Sequence, residues 1–209
     1  MANYCSNTIV FISKNKAKLS TFLRKMFAAF NTRTSGFYNL LVLHGYTNRQ
    51  ISGMIDRRDT LTYCDSKLAT QGDTYSFKVE TETAWVPHME LFYKILHDNY
   101  GNLIRMVYQS IETGCRIYIN TDKDGNYLPE RYMIDCFHDG DYHTEYFETY
   151  EEAIDWINKE YPTFSFSRFD DLEEVETRLQ QAYSYDTNCF FYFHRFESDD
   201  GFNLERSVA

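Results

Sequence analysis

No stretch of this chain is rich in proline or serine, none holds a C-x-x-C pair, and none approaches the length of a membrane helix. Each absence removes a class of protein. Without linker composition, the two halves are expected to share one sheet or pack closely. Without C-x-x-C spacing, a zinc knuckle or thioredoxin-type redox pair is not expected. A membrane helix needs roughly 18 consecutive apolar residues, and runs such as Leu40–Leu43 fall far short. The start shows no basic segment, apolar run and cleavage site in series, so no secretory leader is expected. The expectation is a cytoplasmic protein whose Cys5, Cys64, Cys115, Cys136 and Cys189 are reduced thiols, mostly buried as small hydrophobes. G-x-S-x-G, phosphate-loop and dinucleotide signatures are also missing. No catalytic residue can therefore be named, and neither a cofactor nor a small-molecule substrate is indicated.

What the chain does have is rings, with 18 Tyr and 17 Phe in 209 residues. Aromatic side chains suit half-buried sheet surfaces, and tyrosine keeps a wet hydroxyl at the rim. A platform for stacking bases would use the same residues but also needs basic charge. Charge is uneven. Residues 1–60 carry nine Lys/Arg against two Asp/Glu, while 61–209 carry 12 against 29. A basic segment beside an acidic body either marks a polyanion site or pairs with its own acidic half.

Local pattern predicts the elements. Tyr4 to Ile12 alternates as a strand. Asn15 to Phe30 is a helix with Leu19, Phe22, Leu23, Met26 and Phe27 on one side. Strands are expected near 61–65 and over Thr74 to Thr83. Trp85-Val-Pro87 would start a second helix, with proline in its first turn, ending at Tyr100-Gly101 with a left-handed glycine cap. Strands Leu103–Ile111, Cys115–Thr121, Arg131–Phe137 and Tyr142–Phe147 follow. Asp122–Asn126 reads as a hairpin turn. Its first half resembles a calcium loop, but Tyr127 and Met133 stand where such a loop needs Gly and a bidentate Glu. Thr149 and Glu152 form a capping box for a helix reaching Tyr161. Asp170 would cap a further helix, and Cys189–Phe196 is the last strand.

Two motifs together resemble one family. Met1-Ala-Asn-Tyr-Cys-Ser-Asn7 is similar to the Met-x-Asn-Trp-Cys-x-Asn opening of the YubB-like ferredoxin-fold family. Glu82-Thr-Ala-Trp85-Val-Pro87, then a helix, a strand and Glu112-Thr-Gly114, resembles that family's second block. The matched positions are Asn3, Cys5, Asn7, Trp85, Pro87 and Gly114. Tyr4 replaces a Trp, and Val86 interrupts the usual Ser-Pro-Pro. The likeness covers roughly residues 1–137, with 31–70 unmatched. Members occur on plasmids, in phages and in bacterial genomes and have no assigned activity, so the resemblance implies a fold and no chemistry. Asn3 and Asn7 read as capping or turn residues.

The implied fold is α+β: a ferredoxin-like βαββαβ core whose mainly antiparallel sheet is extended by strands 115–147, with helices on one face. Residues 1–140 would form this domain, with an insertion at 31–70, and 141–209 an α+β extension packed on the same body.

Two constellations carry candidate chemistry. If Asp139-Gly140 is a two-residue hairpin turn, His138 faces Asp141 and Cys136 faces His143, all on one side of the ribbon. Those four residue types suit zinc, yet their spacing matches no known pattern, and the favoured reading is a partly exposed hairpin without metal. Gly45 to Ile55 resembles the first helix of a helix-turn-helix, but its partner, Thr60 to Leu68, is β-branched and nearly uncharged. A nucleic-acid binder would use Lys14, Lys16, Lys18, Arg24, Lys25, Arg49, Arg57 and Arg58. The preferred expectation is a non-enzymatic domain that binds a protein partner, associated with mobile elements through the resemblance, with no membrane partner.

Overall fold

The computed structural model describes residues 4–32, 36–55, 58–138, 140–183 and 189–198. The chain divides into two units, the second running Asp122–Ser198.

In the first unit, β1 (Tyr4–Ser13) lies at the centre of an antiparallel sheet. It is flanked by β4 (Thr74–Ala84) and β5 (Arg105–Glu112). Beyond them are β2 (Thr60–Cys64) and β6 (Ile117–Asn120), giving the order β2-β4-β1-β5-β6, while the short β3 (Ala69–Gln71) also pairs with β4. Directly opposite residues share a face. Register therefore stacks Phe77, Phe11 and Met106 in one row, Val79, Ile9 and Tyr108 in the next, and Thr81, Asn7 and Ser110 in a third. The first two rows are covered by α1 (Lys16–Phe30), α2 (Gly36–Leu43) and α4 (Met89–Tyr100), whose buried residues join the same core. Phe11 meets Phe22 of α1 at 4.8 Å and Phe92 of α4 at 5.6 Å between ring centroids, so both helices lie on one face, as expected.

Helix α4 begins at Met89, not at Pro87. Trp85 takes a left-handed φ of 67° and Val86 N–H turns back to the Ala84 carbonyl, so the chain bends sharply before His88 caps the helix. The left-handed glycine at its other end is present, with Gly101 at φ 57°. In the insertion, α3 (Asn48–Ile51) spans one turn, with the capping box of Thr47 and Gln50. The segment Thr60 to Leu68 is not a second helix. Its start is β2, paired along β4, because β-branched residues fit a pleated surface better than a helix. The helix-turn-helix reading is thereby excluded.

The second unit has its own sheet, which corrects the expectation of one extended sheet. β6 does extend the first sheet, but β7 (Tyr132–His138) pairs with β8 (Asp141–Phe147) and β9 (Phe190–Arg195) in the order β8-β7-β9. The boundary accordingly falls at Thr121/Asp122, not at 140. Asp122–Asn126 is no hairpin turn, since β6 and β7 belong to different sheets. The buried Asp122 carboxylate accepts from Tyr127 N–H at 2.7 Å and Leu128 N–H at 2.9 Å, folding the loop on itself.

One face of this sheet, with Ile134, Cys136, Phe191 and Phe193, packs on α5 (Tyr150–Glu160) and α6 (Leu172–Ala182). The capping box of Thr149 and Glu152 starts α5 as predicted. Helix α6 is capped by Asp171, one residue later than expected, while the Asp170 carboxylate accepts from Ser167 N–H. No helix among the described residues is long and apolar enough to cross a membrane.

Candidate functional site

The hairpin register is the one the turn arithmetic gives: His138 opposite Asp141 and Cys136 opposite His143. Asp139 lies outside the described residues. All four residues share a face, but it is the face that α5 and α6 cover. Cys136 is fully buried, and its Sγ lies 3.5 Å from the Tyr161 hydroxyl. Burial pushes this thiol above its usual range. The His138 ring packs edge-on against Tyr183 at 4.7 Å and Tyr161 at 5.1 Å. Asp141 and His143 are exposed on the edge strand. Two of the set are thus built into a ring cluster, and the other two face water. Among the described residues no three His, Cys, Asp or Glu side chains are grouped to hold a metal ion.

The basic residues are dispersed. Lys14 pairs with Asp73 at 2.7 Å, and Lys16 lies 5.2 Å from the Tyr75 ring centroid. The Arg24 guanidinium donates to the Thr21 hydroxyl of the same helix. Arg49 is on α3, Arg58 sits 5.8 Å from the Trp85 ring, and Arg57 lies outside the described residues. Lys18 and Lys25 come together at a cavity of about 390 Å³ shared with Asn15, Thr21 and Tyr100, where burial pulls the Lys25 ammonium down.

The described positions that carry the motif resemblance, Cys5, Asn7, Trp85, Pro87 and Gly114, collect at one end of the first sheet. Asn7 is a buried strand residue, not a cap or turn. Its side-chain amide donates to the Cys5 carbonyl at 3.0 Å, Thr83 Oγ1 at 3.0 Å and Thr81 Oγ1 at 3.2 Å. Its oxygen accepts from the Ser110 hydroxyl at 2.7 Å. Buried Cys5 has its thiol pushed up to about 12, first by burial and then by Glu112. Glu112 accepts from the backbone of Gly114, closing that turn. Trp85 is half-exposed in its left-handed conformation, Pro87 precedes the cap of α4, and Asn3 lies outside the described residues.

Near this end, His88 Nδ1 lies 2.8 Å from the buried Asp59 carboxylate. His88 also lines an open groove of about 1100 Å³ with Met54, Ile55, Leu91, Ile104 and Met106. A carboxylate-held imidazole is one component of acid–base chemistry. Here it also ties the cap of α4 to the residue before β2.

The sequence pointed less clearly to the open face of the second sheet. Register assembles three rows there: Tyr142, Phe137 and Phe190; Thr144, Asp135 and Tyr192; Tyr146, Met133 and His194. Phe190 stacks on Tyr192 at 5.2 Å, Tyr192 on His194 at 6.0 Å, and Phe137 on Phe190 at 6.3 Å. Tyr142, Tyr146 and Tyr192 remain 60%, 45% and 48% exposed, while Asp135 at the centre is only 5% exposed. Its Oδ1 accepts from Thr144 Oγ1 at 3.0 Å. Burial, then hydrogen bonding to Asp135, holds the Tyr142 hydroxyl above the usual phenol range. The signal was the run Phe190-Phe-Tyr-Phe193, which places rings on both faces of one strand.

No family model matches the chain, and neither a curated protein nor a solved structure does.

Proposed function

We propose that the protein is a non-enzymatic interaction module and that the aromatic face of the second sheet holds a protein partner. One observation carries this reading: three tyrosines are roughly half-exposed around Asp135 on a sheet face whose opposite side is covered by helices. Stacked, rigid rings with polar tips give large contact area at little entropic cost, which is why tyrosine is enriched in protein interfaces. The first unit is proposed as a ferredoxin-like domain of the YubB-like kind, working in the cytoplasm of a bacterium or its mobile elements. Its β-α-β-β-α-β order, interrupted by α2, α3 and β3, and the strand order β2-β4-β1-β5 support this.

A photo-cross-linking residue at position 192 tests the interaction reading in the cells that make the protein. A discrete protein adduct is expected there, and none from the same group at exposed Phe169. No adduct at 192, or the same adducts at both positions, would overturn it.

Nucleic-acid binding through Lys14, Lys16, Lys18, Arg24, Lys25, Arg49, Arg57 and Arg58 is the competing reading, supported by the positive balance of residues 1–60. Filter binding at two salt concentrations separates the two. A nucleic-acid site gives affinity that falls steeply with salt, whereas a protein-binding module gives essentially none.

A further inference from the structure

We propose that the partner segment seated on this aromatic face is basic, with a lysine or arginine side chain lying over the tyrosine rings around Asp135. The proposal rests on the interaction reading above and adds the chemistry of the partner. Three independent observations converge on it.

The first is position. Asp135 occupies the centre of the face, with Tyr192 opposite on one side, Thr144 on the other, and Phe137 and Met133 two residues away along its own strand. Among the described residues no Lys or Arg pairs with it, and none of the nine positions on the face is a Lys or Arg. A buried carboxylate is screened less than an exposed one, so its field persists at the ring surface. The second is the rings. Aromatic faces carry the negative part of a quadrupole and attract ammonium and guanidinium groups laid against them. Stacking of Phe190, Tyr192 and His194 orders these rings before any ligand arrives. The third is charge. The second unit holds 19 Asp/Glu against six Lys/Arg, a field that draws cations and repels polyanions.

Asp135 and Glu130 both act on Tyr146, and His194 is the one basic group on the face. An acidic or phosphate-bearing partner would meet the buried Asp135 carboxylate at the centre of the face.

The test uses the full chain and a short labelled peptide alternating serine with lysine and arginine, read by fluorescence anisotropy. The same peptide with glutamate at the basic positions is the control. Binding of the basic peptide alone is expected, with at least about tenfold loss in Tyr142→Ser, Tyr192→Ser and Asp135→Asn. Melting temperatures close to that of the parent chain show that the variants are folded, and the exposed tyrosines keep the test valid if Asp135→Asn is not. Affinity unchanged by both tyrosine substitutions would mean diffuse attraction to an acidic unit and would overturn the proposal, as would equal binding of the glutamate peptide. If cross-linking at 192 captures a protein while the basic peptide fails to bind, the interaction reading stands and the basic partner falls. If neither occurs, both fall.

Discussion

Three histidines at the residue scale show how burial, not sequence neighbourhood, sets behaviour. His44 Nδ1 lies 2.7 Å from the Leu40 carbonyl, which can only accept, so Nδ1 carries the proton and Nε2 accepts from the Tyr100 hydroxyl at 3.0 Å. Burial pulls His44 from 6.5 down to about 4, with Lys25 adding to the effect. The unfolded chain therefore takes up this proton near pH 6.5 and the folded chain only near 4. The contribution of His44 is full above that window and is lost as pH falls through it, on the order of 2–3 kcal/mol. Urea unfolding between pH 7 and 4 should show a flatter pH dependence in His44→Gln than in the parent chain. Equal slopes would show that His44 titrates normally. His138 and His143 make a second contrast. Sequence placed both at an indifferent hairpin tip, but His138 is wedged against Tyr161 and Tyr183. His138→Ala is expected to cost about 1–2 kcal/mol and His143→Ala less than about 0.5 kcal/mol, read from denaturation midpoints.

At the scale of elements, helix ends were legible because caps are local chemistry. Thr149 accepts from Glu152 N–H at 3.2 Å while the Glu152 carboxylate accepts from Thr149 N–H at 3.1 Å, closing the box that Thr-x-x-Glu announces. Thr149→Ala should lower the stability of the second unit by about 1 kcal/mol, and Thr149→Asp should keep most of it. Equal melting of the alanine variant and parent would show that packing on the second sheet, not the cap, holds α5. The same local logic placed Gly101 at the end of α4. It misplaced the start of that helix, because nothing nearby in sequence announces a left-handed Trp85.

The first unit closes its own core at the scale of the molecule. The sheet rows of Ile9 and Phe11, with α1, α2 and α4, use residues from Ile9 to Tyr108. A fragment of residues 1–121 is therefore expected to melt cooperatively by itself, checked by circular dichroism and by dispersed amide resonances. A featureless melt would mean that this core needs the rest of the chain. The second unit buries a smaller core of its own, in which Ile134, Cys136, Phe191 and Phe193 meet α5 and α6. It also carries most of the negative charge. Of the 29 Asp/Glu after residue 60, 19 lie in this unit. Within the basic region, Lys14, Lys16, Arg24 and Arg58 already contact neighbouring side chains, which disperses what the count of +7 suggested.

The sequence by itself determined what short-range chemistry decides. Period-two and helical spacing identified most strands and helices, Asp-Gly set the hairpin register of His138 and Asp141, and Thr-x-x-Glu set a helix start. Only the tertiary structure decided which strands share a sheet and which side of a sheet is covered. Alternation says that Cys136 and His138 share one face and Asp135 and Phe137 the other. It cannot say which face α5 and α6 will bury. That choice comes from the summed burial of residues far apart in sequence, Ile154, Val175 and Phe191 among them. With both faces of β7 and β9 rich in apolar and ring side chains, the local pattern was nearly symmetric. Helix packing broke the symmetry, sealing Cys136 and holding His138 against Tyr161 and Tyr183 on one side, and leaving Tyr142, Tyr146 and Tyr192 around a buried carboxylate on the other.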